Sequence, residues 1–132
     1  MTQTHFGFAK LVVSDLEAAA AFYAGVFELT EQGRVHAAIG GRPIDEILYA
    51  ATAPGGASFV LLRFGDRDGA PLGDSITGFI AADVDALFAR AVAAGASVVQ
   101  AAQDQPEHGV RVGFLADPEG HLIEVVQLLA AH

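Results

Sequence analysis

Cysteine is absent from all 132 residues. That excludes disulfides, thiolate metal sites and cysteine nucleophiles. It fits a reducing compartment, and a cytoplasmic location is the expectation. No apolar run reaches the roughly 20 residues that span a bilayer. The start, Met1-Thr2-Gln3-Thr4-His5, has no basic stretch ahead of an apolar one. Neither a membrane partner nor a signal peptide is therefore expected. Positive charge is also scarce: seven Lys and Arg face 16 Asp and Glu, for a net charge of −9. Such a chain repels phosphate backbones, so no nucleic-acid partner is expected. There is no nucleophile elbow, P-loop or dinucleotide fingerprint. Gly40-Gly41 and Gly55-Gly56 read as turns without the flanking pattern of a phosphate loop.

What is present is apolar and repeated. Hydrophobic residues make up 52% of the chain and charged residues 17%, ample for a core. Val13-Ser14-Asp15-Leu16-Glu17-Ala18 opens one alanine-rich helical stretch and Ala81-Ala82-Asp83-Val84-Asp85-Ala86 opens another. Each follows an apolar strand-like run and leads to a glycine and further strands. The first run is Phe6 to Val13. Ser14-x-x-Glu17 reads as a capping box, and Leu16, Ala20, Tyr23 and Phe27 recur at helical spacing. Gln32 to Ile39, Ile44 to Ala51 and Ser58 to Phe64 read as strands separated by glycine and proline turns. In the second half, Ile76 to Ala81 is a strand and Asp83 an N-cap. Val84, Leu87, Phe88 and Ala91 make a helix face that ends at Gly95. Ser97 to Ala102, Val110 to Ala116 and His121 to Leu128 follow as strands. Asp117-Pro118-Glu119-Gly120 has the residues of a type I turn.

The plan is one βαβββ unit written twice: residues 5–64, a linker over 65–75, and residues 76–129, within a single domain. A sheet with one helix leaves its other face open. Two such units, within a chain or between chains, can join and curl. The expected class is α+β, with a mixed sheet forming a half-barrel around a cavity and helices on the convex side.

These residues resemble the vicinal oxygen chelate superfamily, which includes glyoxalase I, extradiol dioxygenases, fosfomycin-resistance enzymes and bleomycin-binding proteins. The resemblance rests on Val13-Ser14-Asp15-Leu16 through Phe22-Tyr23, on Asp83-Val84-Asp85 through Ala94-Gly95, and on Asp117-Pro118-Glu119-Gly120-His121-Leu122-Ile123-Glu124. It covers essentially the whole chain and implies a homodimer. It also implies four metal-ligand positions, on the first and fourth strands of each half. Carried over, these are Phe8, Val60 or Leu61, Ile76 and Glu124. One carboxylate does not hold an ion that wants three or four protein ligands, so no metal and no other cofactor is expected. His5, His36, His108, His121 and Glu46 are the spare donors. Of these, His36 and Glu46 could join Glu124 in a rebuilt site, which is the alternative.

Alternation along strands places Lys10 beside Phe8 and Val12, and Glu124 beside Leu122 and Val126. A Lys10–Glu124 pair would hold both ionised, as a ligand site or as a buried bridge. Arg63 shares a face with Leu61. Arg111 shares one with Gly113, which leaves the backbone open to approach. Either arginine reads as an anion-binding fork or as a solvent-facing residue. Glu46 reads as a general base or as a partner for an arginine. Phe8, Lys10, Leu61, Arg63, Ile76, Arg111 and Glu124 are the expected ligand-binding residues. The expected function is metal-free binding of a small organic molecule, anions included. The alternative is a lyase, isomerase, epimerase or dioxygenase, with Glu124, Glu46 and Lys10 as the catalytic candidates. A third reading is an interaction module with a vestigial pocket.

Overall fold

The computed structural model describes residues 6–39, 41–66 and 75–130. The chain divides into two compact units, residues 1–71 and 72–132, each a βαβββ module. The first contains β1 (Phe8–Val12), α1 (Leu16–Phe27), β2 (Glu31–Ile39), β3 (Arg42–Tyr49) and β4 (Ser58–Phe64). The second contains β5 (Ile76–Ile80), α2 (Val84–Ala93), β6 (Ser97–Gln105), β7 (Val110–Ala116) and β8 (Leu122–Leu128). The two sheets have the same order, β1-β4-β3-β2 and β5-β8-β7-β6. In each, the outer pair β1/β4 or β5/β8 is parallel and the remaining pairs are antiparallel. This is the α+β plan of two mixed sheets that the repeat predicts. Among the described residues no helix is long and apolar enough to cross a membrane.

The start of α1 corrects the capping-box reading. The N-cap is Asp15, whose carboxylate accepts from the amide of Ala18 at 3.0 Å. Glu17 is therefore free of capping and reaches β2, where it pairs with Arg34. In α2 the expected Asp83 does cap, accepting from Ala86 at 3.0 Å. Helix α1 buries Ala19, Ala20, Phe22, Tyr23 and Val26. Of the expected face, Ala20 and Tyr23 are buried while Leu16 and Phe27 at its ends are half-buried. Tyr23 packs against Phe59 of β4 with ring centroids 5.2 Å apart, and stacks with Phe27 at 5.8 Å. Ile47, Tyr49 and Leu61 complete this core and are all but inaccessible to solvent. Each such aliphatic side chain contributes on the order of 1.5–3 kcal/mol.

In the second module, Val84, Leu87 and Ala91 face the sheet. A Cβ at Gly113 would lie 2.5 Å from the Phe88 ring and 3.0 Å from the Ala102 backbone. The space that glycine leaves is thus filled by the protein's own helix rather than by a ligand. The β7–β8 turn closes as expected: Gly120 N–H donates to the Asp117 carbonyl at 2.9 Å. The Asp117 carboxylate also accepts from the amides of Glu119 and His121 and lies 2.9 Å from His121 Nδ1. Both side chains are buried, so His121 serves this turn.

Candidate functional site

Strand alternation gives each sheet two faces, and the contacts of α1 decide which is which. On the helix side of the first sheet, Phe59 meets Tyr23 and Arg63 Nε donates to the Ser14 carbonyl at 3.0 Å. Leu61 lies between them in the alternation, fully buried. Leu61 and Arg63 therefore belong to the helix side. The opposite, helix-free face carries Phe8, Lys10, Val60, Leu62 and Glu46, since Lys10 is opposite Val60 and Leu62 is opposite Glu46. The register thus settles the alternative between Val60 and Leu61: Val60 shares the face of Phe8.

Lys10 reaches over β4 to Glu46, and its Nζ lies 2.5 Å from Glu46 Oε2. This ion pair is internal to the first module: Glu46, read from the sequence as a partner for an arginine, pairs with Lys10 instead. The contact is close but lacks hydrogen-bond alignment, which leaves the buried Oε2 without an aligned donor. The Glu46 side chain is 9% exposed and that of Lys10 33%. Lys10 also stands 5.5 Å from the centroid of the Phe8 ring.

His36 and Glu46 do not converge. The β2–β3 register sets His36 opposite Asp45, and Val35 opposite Glu46, so the two point to opposite faces. His36 Nδ1 instead lies 2.7 Å from Asp45 Oδ1, in the open. His108 sits in a short 3-10 turn, Pro106–His108, and His5 lies outside the described residues. Among the described residues no three His, Asp or Glu side chains are grouped to hold an ion.

In the second module Arg111 lies on the helix side with Gly113. It donates to Asp85 of α2 at 2.9 Å and to Asp104 at 3.1 Å. These two carboxylates raise its pKa, while Arg111 holds the Asp85 carboxyl below its usual range. Both arginines expected to bind an anion thus face their helices. The helix-free face carries Ile76, Gly78, Leu122, Glu124 and Phe114, with Glu124 opposite Gly78 on one side and Phe114 on the other. Glu124 is half-buried and makes no side-chain hydrogen bond or ion pair with any described residue.

Sequence reading missed one feature: an open cleft of about 640 Å³ beside the start of α1, lined by Ser14, Glu17, Arg34, His36, Asp45 and Arg63 among others. Arg34 is clamped by Glu17 and Glu31, which raise its pKa. The signal for it was Glu17 and Arg34, opposite charges on neighbouring elements, hidden by the capping-box reading.

Two βαβββ modules with this strand order, each with its helix on one side of a mixed sheet, define the glyoxalase-like class of folds. The chain belongs to the Glyoxalase/Bleomycin resistance protein/Dioxygenase superfamily, whose family model matches residues 3–125. An uncharacterized protein of Mycobacterium bovis is 37% identical over 120 residues, covering 84% of this chain and 75% of that protein. The crystal structure of TioX from Micromonospora sp. ML1 is 30% identical with a TM-score of 0.64, covering 96% of this chain and 100% of that one. A glyoxalase family protein from Bacillus cereus shares the fold with a TM-score of 0.80 at 20% identity, covering 98% and 99% of the two chains.

The resemblance implies metal donors at four positions. Phe8, Val60 and Ile76 offer none, and Glu124 is a single carboxylate. Residues of this kind do not fit a divalent ion that takes three or four protein ligands.

Proposed function

We propose that this member of the superfamily binds a small organic molecule on the helix-free faces of its sheets, without the metal that the resemblance implies. The observation that carries this reading is the donor set: three of four ligand positions are hydrocarbon, while the surfaces around them remain apolar with a few placed polar groups. That combination suits recognition of an organic ligand, in which apolar contact supplies affinity and one or two polar groups supply orientation. The first-module arginine turned to the helix side and the second-module arginine paired with Asp85 and Asp104 argue against an anion as the main target. A homodimer belongs to the same proposal and is checked by light scattering.

A second reading is acid–base catalysis of the lyase or isomerase kind. It is favoured by Glu46, a buried carboxylate beside Lys10, a pairing that general acid–base chemistry uses. Turnover of a bound ligand, lost on Glu46→Gln with binding kept, would decide for it.

Elemental analysis of protein purified without chelator or histidine tag, then dialysed against zinc, nickel, manganese and iron(II), tests the metal-free reading. No stoichiometric metal is expected. A stoichiometric ion lost on Glu124→Ala would overturn it and restore metal-assisted chemistry.

A further inference from the structure

The ionisable groups of the second module are divided unevenly between the two faces of its sheet. Arg111 is on the helix side, held by Asp85 and Asp104. On the helix-free side, Glu124 is the one ionisable residue that β5, β7 and β8 present, by the alternation of their described residues. It sits among Leu122, Val126, Ile76 and Ile80. A half-buried carboxylate on such a surface loses hydration and gains no hydrogen bond or ion pair from the described residues in return.

Its two cross-strand neighbours give the place a shape. On β5 the partner is Gly78, where an added Cβ would meet nothing within 4 Å. On β7 the partner is the half-buried Phe114. The carboxylate thus has open space on one side and an aromatic ring on the other. An ammonium group fits both: it donates charge-assisted hydrogen bonds to the carboxylate and is attracted to a ring face. An anion would meet repulsion and no described cation on this face of the three strands.

We propose that Glu124, Gly78 and Phe114 form a subsite for the ammonium group of an organic amine. This rests on the binding function proposed above and names the ligand class for it. The apolar body of the amine lies along Ile76 and Leu122. Glu124 orients the ligand and contributes no chemistry to it.

The test is amide-resolved NMR titration of the full chain with three matched probes: benzylammonium, benzyl alcohol and benzoate. Benzylammonium is expected to shift the amides of Gly78, Phe114 and Glu124 and to bind about tenfold more tightly than benzoate. Glu124→Gln should erase that preference. Gly78→Val should fill the space and remove binding while the fold is kept, since no described atom lies within 4 Å of where its Cβ would go. Equal binding of ammonium and carboxylate probes, or a preference that survives Glu124→Gln, would overturn the ammonium subsite and leave the wider binding function standing. If none of the three probes shifts amides on the helix-free face of either sheet, both proposals fall together.

Discussion

The two modules have the same strand order, the same capped helix and one carboxylate each near the middle of the helix-free face. In the first, Glu46 is buried and spoken for by Lys10 across an intervening strand. In the second, Glu124 is half-buried beside a glycine and lacks a described partner. The helix sides, by contrast, use the same kind of tie. Each helix starts on an aspartate, and two residues later an acid reaches an arginine of the sheet: Glu17 to Arg34, Asp85 to Arg111. The arginine stands on β2 in the first module and on β7, the counterpart of β3, in the second, so the tie of helix to sheet recurs from different strands while the other face displays different charges. The difference separates a charge used for architecture from a charge left for something outside the protein.

Substitutions can break this contrast, and the largest effect is expected within the second sheet. Gly113→Ala should cost about 3 kcal/mol, because the new methyl meets Phe88 and the Ala102 backbone and overpacking of this kind is destabilising. Gly78→Ala, on the opposite face with open space, should stay within about 0.5 kcal/mol of wild type. Urea denaturation of the pair measures the asymmetry directly. If both glycines cost the same, the assignment of faces in the second module fails.

Next in size is the contrast between the two carboxylates. Lys10→Met leaves Glu46 buried without its counter-ion, and removing one partner of a buried pair is costly. Because Lys10 is a third exposed, solvent screening reduces the expected loss to about 1–2 kcal/mol. Glu124→Gln should leave stability within about 0.5 kcal/mol. Equal losses in thermal unfolding would show that Glu124 is also structural.

The smallest effect concerns pH. Arg111 holds the Asp85 carboxyl below its ordinary value of 3.8. A depressed carboxyl stabilises the fold above the unfolded-state value, and that contribution is lost as pH falls through the folded-state value. In an NMR titration, Asp85 should therefore stay ionised below pH 3.8, and Arg111→Gln should move its midpoint back up. An unmoved midpoint would rule out Arg111 as the cause.

Much of this fold was legible in the chain. The strands Ser58–Phe64 and Val110–Ala116 have the bounds their apolar runs imply, and the repeat gives the module order. Pairings over short spans, such as the Asp117–Gly120 turn, were also readable, because local residue types determine them. The faces were harder. Period-2 alternation puts Arg63 with Leu61 and Phe8 with Lys10, but it does not say which set the helix covers. That depends on Tyr23 meeting Phe59, a contact made only after folding. The Lys10–Glu46 pair was missed for a related reason: its partners are two strands apart, and only the order β1-β4-β3 makes them neighbours. The capping of α1 was ambiguous because Ser14 and Asp15 are both good caps. The acid three residues beyond Ser14 turned out to have a better use at Arg34.

Strand β1 has a consequence for the lifetime of the Lys10–Glu46 contact. It is five residues long, stands at the end of its sheet and is mostly solvent-exposed. It joins β4 in parallel only after the helix and the β2–β3 hairpin have intervened, and such distant pairings form late. Short, exposed segments are also where native chains open most readily. An opening of β1 would carry Lys10 away and uncover the Glu46 carboxylate, together with Leu61, which is paired with the buried Leu11 of the same strand. The first module therefore has a clock: its acid is shut away for as long as one short strand stays docked, and hydrogen exchange at Ala9 and Leu11 reads that interval.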